Sequence, residues 1–387
     1  MTRHPERHVS VAELAVDPHP VLASLRDEAP VAWIPDLDAW LVTSHALSTE
    51  VMLDAETFTV DDPRFSTQQV IGPSMLSLDG VEHRRHRDPF SPPFRAAKIA
   101  ELRSAVEEES RRLIAEVAAD GGGDLRSRVA APLAVSVMAG VLDLGDVAVS
   151  DVLGWYEDIV EAVHAVTAGG AVPRSGLDAF ENLKSAVAAN LSSSGLLGPV
   201  DEAGSLDVDE IVSNVAVLLF GGIVTSESST AIAFHHLLAD QRAREALGDD
   251  RSQVKAFVEE TFRIEPSAAA VDRYATRDVE LAGAHISRGD LVRVSLSAAN
   301  RDPAVFPDAD RLDWARGNLG RSVTFARGPH ACLGIHLARL ETTVAVEALL
   351  DQPGPLNSPR LDPIEGLVFR VPARVEVTWR GAAPSPN

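Results

Sequence analysis

A mainly α-helical chain with a smaller β-rich lobe is the fold class the sequence predicts, on three observations. Apolar residues recur at helical spacing over most of residues 75–264 and again over 333–351. Short alternating or β-branched runs are confined to residues 31–43, 279–294 and 367–379. Turn formers fall mainly between these segments, so the helices and strands are punctuated rather than blended. At 387 residues the chain is long for one small domain and could be two. One domain over 1–387 is the expectation adopted.

The elements follow in order. Residues 1–30 are polar, with breaks at Asp17-Pro18 and Ala29-Pro30. Residues 31–43 alternate around Val31, Trp33, Trp40 and Val42, with Pro35-Asp36 as a turn, and predict a hairpin. Residues 45–55 predict a short helix, and residues 61–74, with Pro63, Gly72 and Pro73, predict mostly loop. Residues 97–119 form an amphipathic pattern ended by Gly121-Gly-Gly123, residues 125–143 are apolar throughout, and residues 150–195 hold two helices broken at 168–173. Residues 195–205 predict a linker. Residues 207–239 predict one long helix, and residues 253–264 another. Two hairpin-like stretches lie within 279–294, a terminal hairpin pairs 367–371 with 375–379, and Gly381 to Asn387 is a polar tail.

Composition excludes several functions. The formal charge of -22, from 35 basic and 57 acidic residues, makes nucleic acid and anionic membranes poor partners. A single cysteine excludes an internal disulfide, and scattered histidines give no zinc-ligand spacing. No signal peptide follows Met1 and no run of about eighteen apolar residues stands out, so a cytoplasmic protein without a membrane span is expected.

The chemistry gathers at Phe325-Ala-Arg-Gly-Pro-His-Ala-Cys-Leu-Gly334. Gly328, Pro329 and Gly334 forbid regular structure there, while Ile335, Leu337, Ala338, Leu340 and Val344 continue at helical spacing. Cys332 therefore sits on a tight turn opening into a helix, whose N-terminus favours a thiolate. Alone, such a cysteine is most often a small buried apolar residue. In this setting it suits one ligand to a large metal cofactor.

Phe325, Gly328, His330, Cys332 and Gly334 resemble the haem-binding loop of the cytochrome P-450 family. The resemblance extends along nearly the whole chain. His83 and Arg87, four apart in Val81-Glu-His-Arg-Arg-His-Arg87, resemble the helix whose His and Arg bind a haem propionate; on pattern alone they make a solvated basic face. Glu260-Thr-Phe-Arg263 followed by Glu265-Pro266 resembles the Glu-x-x-Arg signature, a buried structural pair. Arg273 and His330 match the remaining propionate contacts.

Within residues 207–239, Gly221, Gly222, Ile223, Val224 and Thr225 match the family's small residue, Gly, any residue, acid, Thr, except that Val224 stands where the acid belongs. Two adjacent helical glycines cost roughly 1 kcal/mol each against alanine. They serve either close helix packing or space for a diatomic ligand. Glu227, one turn on, is a candidate substitute for the missing acid.

The resemblance implies haem b between the long central helix and the helix after the Cys loop, with Cys332 as the metal ligand. It implies a soluble bacterial monooxygenase inserting one O2-derived oxygen into an apolar small molecule, in secondary metabolism. Electrons would come from NAD(P)H through a ferredoxin and its reductase, docking near Arg84, Arg85 and Arg95. Thr225 would assist protonation, with Gly221 and Gly222 making room for O2. Val224 keeps a rival open: peroxide-driven oxidation, oxidative coupling or cyclisation on the same fold. A non-catalytic haem binder or sensor is the remote alternative.

Overall fold

The computed structural model describes residues 8–142, 144, 147–167, 170–191 and 196–379. Residues 168 and 169 of the predicted inter-helix break, residue 195 of the predicted linker and the polar tail lie outside the described residues. The fold is mainly helical, with short strands in small sheets, as predicted. Two compact units emerge: one of 1–58, 102–133 and 225–387, the other of 59–101 and 134–224.

The first unit carries the main sheet, which has five strands. Strands Val31–Ile34 and Ala39–Val42 form the predicted hairpin, closed by Pro35–Leu37 and by Asp38 at φ 47°. Their alternation feeds two cores at once. Val31, Trp33, Trp40 and Val42 join one cluster with Val292 and Val294, while Ala32, Ile34 and Leu41 join another with Leu14, Leu22 and Leu25. Both faces of the hairpin are buried.

Two further helices in this unit escaped sequence reading. Val11–Val16 starts from a capping box, Ser10 and Glu13, and His19–Glu28 follows it. The box was visible in the sequence. The terminal hairpin does not form. Val371–Pro372 pairs with Ile364–Glu365, whereas Glu376–Trp379 pairs with Gly122–Asp124 and Leu356–Asn357. Gly121-Gly-Gly123 thus leads into a strand rather than only ending a helix. The second hairpin-like stretch also resolves differently: Leu291–Ser295 pairs with Ala270–Ala275 and with Ala39–Val42. Strands of two to five residues carry too little periodicity to reveal non-local partners.

In the second unit, Gly80–Arg87, Val149–Thr167 and Arg174–Asn190 are helices, as predicted. The predicted loop 61–74 contains the helix Ser66–Ile71, and the predicted linker contains the helix Leu197–Glu202. The pattern read as one helix over 97–119 is divided at Leu102 into Ala96–Glu101 and Arg103–Ala119, the latter belonging wholly to the first unit.

The central helix Val208–Ala239 runs unbroken for 32 residues and contributes to both units. By length and composition it is apolar enough to cross a membrane, which was not expected from the sequence. Its buried polar residues mark it as a core helix instead. In the second unit, Asn214 Oδ1 accepts from the Met75 amide at 2.8 Å, and its Nδ2 donates to the Glu210 carbonyl at 2.7 Å. The same Nδ2 lies 2.9 Å from His86 Nδ1. In the first unit, Ser229 Oγ donates to Ser267 Oγ at 2.9 Å, and the Thr230 and Thr342 hydroxyls lie 3.1 Å apart.

Asn214→Ala strips the Met75 amide of its acceptor in a buried site. We expect a loss of about 1–3 kcal/mol in urea unfolding, against a few tenths for an exposed substitution in the same helix.

Candidate active site

The cysteine loop is built by strain that neighbouring backbone makes unavoidable. Gly328 has φ +75°, and a Cβ there would stand 2.4 Å from the Met52 carbonyl oxygen. Only glycine lets the loop lie so close to the helix His45–Leu53. The turn Gly328–His330 follows, then the Cys332 amide donates to the Phe325 carbonyl at 2.8 Å. Gly334 caps the helix Ile335–Leu350, as the sequence predicted. Cys332 is exposed, so it is not the packed apolar residue of the alternative reading. A Cβ at Gly334 would stand 3.9 Å from its sulfur, an ordinary contact distance.

Aromatic and charged contacts hold the loop's entry. Phe325 meets Phe262 edge-on with centroids 5.5 Å apart, and the Arg339 guanidinium lies 5.4 Å from the Phe325 ring. Arg339 also pairs with Glu259 at 2.9 Å. These groups and Cys332 line a cavity of about 330 Å³. A larger cavity of about 800 Å³ lies in the second unit, lined by Arg84, Arg85 and Lys98 among others, and holds none of the candidate cofactor or catalytic residues. The chemistry of the cysteine loop, not cavity size, identifies the site.

Behind the loop lies the predicted ion pair. Glu260 and Arg263 are both wholly buried and paired bidentately at 2.7 and 2.8 Å. Arg316 Nε and the Asp313 amide complete the Glu260 shell at 3.0 and 2.8 Å. Arg263 donates to the Asn300 carbonyl at 2.8 Å. The Asn300 side chain in turn donates to Thr324 Oγ1 and accepts from the Val323 amide, both at 2.8 Å. Thr324 Oγ1 donates to the Phe262 carbonyl at 2.7 Å. Sequence reading found the pair but not its route to the loop through Asn300, Arg316 and Thr324.

The other sequence candidates divide between the units. In the first, Arg273 is buried on strand Ala270–Ala275 with Nη1 donating to the Asp272 carbonyl at 2.7 Å, while His330 and Thr225 are half-buried. In the second, His83 is buried and Arg87 half-buried on the helix Gly80–Arg87. The two central-helix glycines differ. A Cβ at Gly222 would stand 2.5 Å from Met138 Sδ, so Gly222 serves helix packing, whereas a Cβ at Gly221 meets nothing within 4 Å. Glu227 is committed elsewhere: its carboxylate pairs with Arg126 Nε at 2.8 Å. Arg126 sits on a π-helical turn and reaches the Pro372 carbonyl as well. Glu227 therefore does not take the role left open at Val224.

One functional candidate went unread. Glu341, on the helix after the cysteine loop, is wholly buried; desolvation drives its pKa up to about 8 against an opposing hydrogen bond from Ser226. Its position was a signal. It falls on the same helix face as Leu337 and Val344, where an acid is out of place.

The comparisons with known proteins agree with this geometry. The Cytochrome P450 family model matches residues 187–352. The chain is 31% identical to the vitamin D(3) 25-hydroxylase of Pseudonocardia autotrophica, covering 94% of each chain. It is also 31% identical to the nocardicin C N-oxygenase of Nocardia uniformis subsp. tsuyamanensis, covering 98% of this chain and 100% of that one. Among solved structures, CalO2 superposes with a TM-score of 0.85 at 27% identity, covering 95% of this chain and 97% of that one. HmtN, a hydroxylase of himastatin biosynthesis, gives 0.83 at 28%, covering 96% and 99%.

The chain belongs to the cytochrome P450 family. It is a monooxygenase that uses haem b, with electrons drawn from NAD(P)H through redox partners. The residues present fit that cofactor: one exposed thiol on a fixed loop, and buried or half-buried arginines and histidines suited to carboxylate side groups.

Gly328→Ala drives a methyl group against the Met52 backbone. We expect a lowered Tm and a lower ratio of bound haem to protein than in Gly334→Ala, where the added Cβ meets only ordinary contact distances.

Proposed function

We propose that this enzyme inserts one O2-derived oxygen atom into an apolar small molecule of bacterial secondary metabolism. The observation that carries the reading is the exposed Cys332 on a loop fixed by Gly328 and by its own amide bond to Phe325. Cys332 is the iron ligand. His83, Arg87, Arg273 and His330 hold the propionates, with Phe325 and Gly334 framing the sulfur. Within the family the full chain acts as one domain, and its setting is the cytoplasm.

Haem, when bound, supplies oxygen activation, and the thiolate's electron donation favours O–O cleavage. The chain supplies the rest. Thr225 positions a proton on the central helix, and Gly221 leaves open space beside it. Gly222 contributes by letting the helix pack closely on Met138. A ferredoxin-type donor docks through charge complementarity. Arg85 is committed to Glu210 and Glu82 at 2.6 and 2.8 Å, so the docking cations are the exposed Arg84 and Arg95.

The named relatives are hydroxylases and oxygenases of varied substrates, such as mycinamicin IV in the Micromonospora griseorubida enzyme and 6-deoxyerythronolide B in that of Saccharopolyspora erythraea. Such molecules suggest a bulky biosynthetic intermediate here. Val224 favours one second reading, in which hydrogen peroxide replaces O2 and the electron donors.

Cys332→Ala is expected to lose the thiolate-type carbon-monoxide spectrum of the reduced protein together with turnover. Retention of that spectrum would exclude Cys332 as ligand. Product formed with ferredoxin, reductase and NAD(P)H but not with peroxide alone would dismiss the second reading.

A further inference from the structure

The cavity of about 800 Å³ in the second unit has no part in haem binding or oxygen chemistry, yet it has the size of a small-molecule site. Much of its lining is proline. Asp88–Phe90 and Pro92–Phe94 are short 3-10 turns held to the core by the buried Phe90 and Phe94. Pro89, Pro92 and Pro93 of these turns line the cavity. Their rings fix φ, so this part of the wall is preformed. The helix Leu197–Glu202 buries Leu197 and Val200 and gives Pro199 and the following Ala203 to the lining. Arg85 ties the helix Gly80–Arg87 to this region: its Nη1 donates to the Ser205 carbonyl at 2.9 Å.

The charges in the lining are unequal. Arg84, Arg85 and Lys98 stand against one acid, Asp88. Arg85 is answered by Glu210 and Glu82 at 2.6 and 2.8 Å, and Lys98 by Glu101 at 3.1 Å. Arg84 is exposed and has no side-chain partner among the described residues, and no ion pair joins it to Asp88 one turn further on. A guanidinium is a planar, two-pronged donor matched to a carboxylate. One unanswered cation suits a single negative charge, and Asp88 repels a second. Apolar walls with one such cation suit a molecule that is apolar along its body and anionic at one end.

We propose that this cavity binds an amphipathic monocarboxylate, with its body against the prolines, Leu196 and Ala203 and its head on Arg84, and that the bound acid regulates electron delivery. The regulation rests on the proposed docking of a ferredoxin-type donor through Arg84. A carboxylate seated there takes the cation that the donor needs, so acid and donor exclude one another and electron transfer slows as the acid accumulates. A cavity that merely held water would show neither the charge dependence nor the shape dependence that this requires.

Decanoate is the probe. Decanoic acid carrying a diazirine on its chain is cross-linked to the ferric holoprotein, and the labelled peptides are mapped by mass spectrometry. We expect labelling within residues 88–98 and 196–205 that unlabelled decanoate displaces. Ala203→Trp places an indole in the cavity from an exposed position and is expected to abolish that labelling with Tm and haem content retained. Arg84→Gln is expected to weaken binding at least about tenfold, and Asp88→Asn to strengthen it about threefold. No label in these two segments of the wild-type protein overturns the proposal. So does displacement by decanol or decyl phosphate as effective as by decanoate.

Electron transfer tests the regulation. A reduced [2Fe–2S] ferredoxin is mixed with the ferric protein under carbon monoxide, and formation of the carbon-monoxide complex is followed. Decanoate is expected to raise the ferredoxin concentration giving half the maximal rate at least about threefold, with the maximal rate unchanged, and to lose this effect in Ala203→Trp. An unshifted half-saturation in protein that takes the label overturns the regulation. If Arg84→Gln without decanoate also leaves the half-saturation unshifted, it is the docking of the donor through Arg84 that fails, while the labelled site stands.

Discussion

The structure depends most on one buried charge pair. Glu260 and Arg263 are both inaccessible to solvent, and breaking such a pair by removing one partner costs roughly 3–5 kcal/mol. An isolated buried pair of this kind is weak evidence for stability, since well-packed apolar residues often do as well. Its value here is geometric. Arg263 fixes the Asn300 carbonyl, Asn300 fixes Val323 and Thr324, and these lead directly into Phe325 and the cysteine loop. Every polar group in that chain is bonded, which is what allows so much polarity to be buried. The loop's sulfur is therefore held by a frame some distance away, not by its immediate neighbours alone.

Position then decides chemistry. Cys332 is useful because glycine lets the loop run against the Met52 backbone and because the following helix starts at Gly334. The central helix shows the same division of labour. Gly222 packs on Met138, whereas an added Cβ at the adjacent Gly221 would meet nothing within 4 Å. Val224 stands where the family's pattern has an acid, and a buried acid, Glu341, lies on the helix after the cysteine loop. Glu341 reaches Ser226 from there, within an apolar interior that keeps it protonated.

Much of this was legible in the sequence. The cysteine loop was readable because Gly328, Pro329 and Gly334 act locally, through backbone conformation. Long helices were readable because Val208–Ala239 and Arg174–Asn190 repeat their pattern over many turns. What failed was non-local or small. Strand Glu376–Trp379 finds Gly122–Asp124, more than 250 residues away in sequence, and three residues give no period to predict it. Glu227 is taken up by Arg126, a partner 101 residues away in sequence that no local pattern reveals. Glu341 looked like any helical acid, because burial is a property of the packed helices around it and not of its neighbours in sequence.

The central claim is that the Glu260–Arg263 frame holds the cysteine loop in place, and native-state hydrogen exchange at the Cys332 amide tests it most directly. That amide donates to the Phe325 carbonyl, so its protection reports loop integrity. Arg263→Lys keeps the charge but loses the planar fork that binds Glu260 twice. The account predicts strong protection in the wild-type protein and a marked, parallel loss at Cys332 and Val323 in Arg263→Lys, with the Leu218 and Leu219 amides of the central helix less affected. Full protection at Cys332 in a folded Arg263→Lys variant would contradict it.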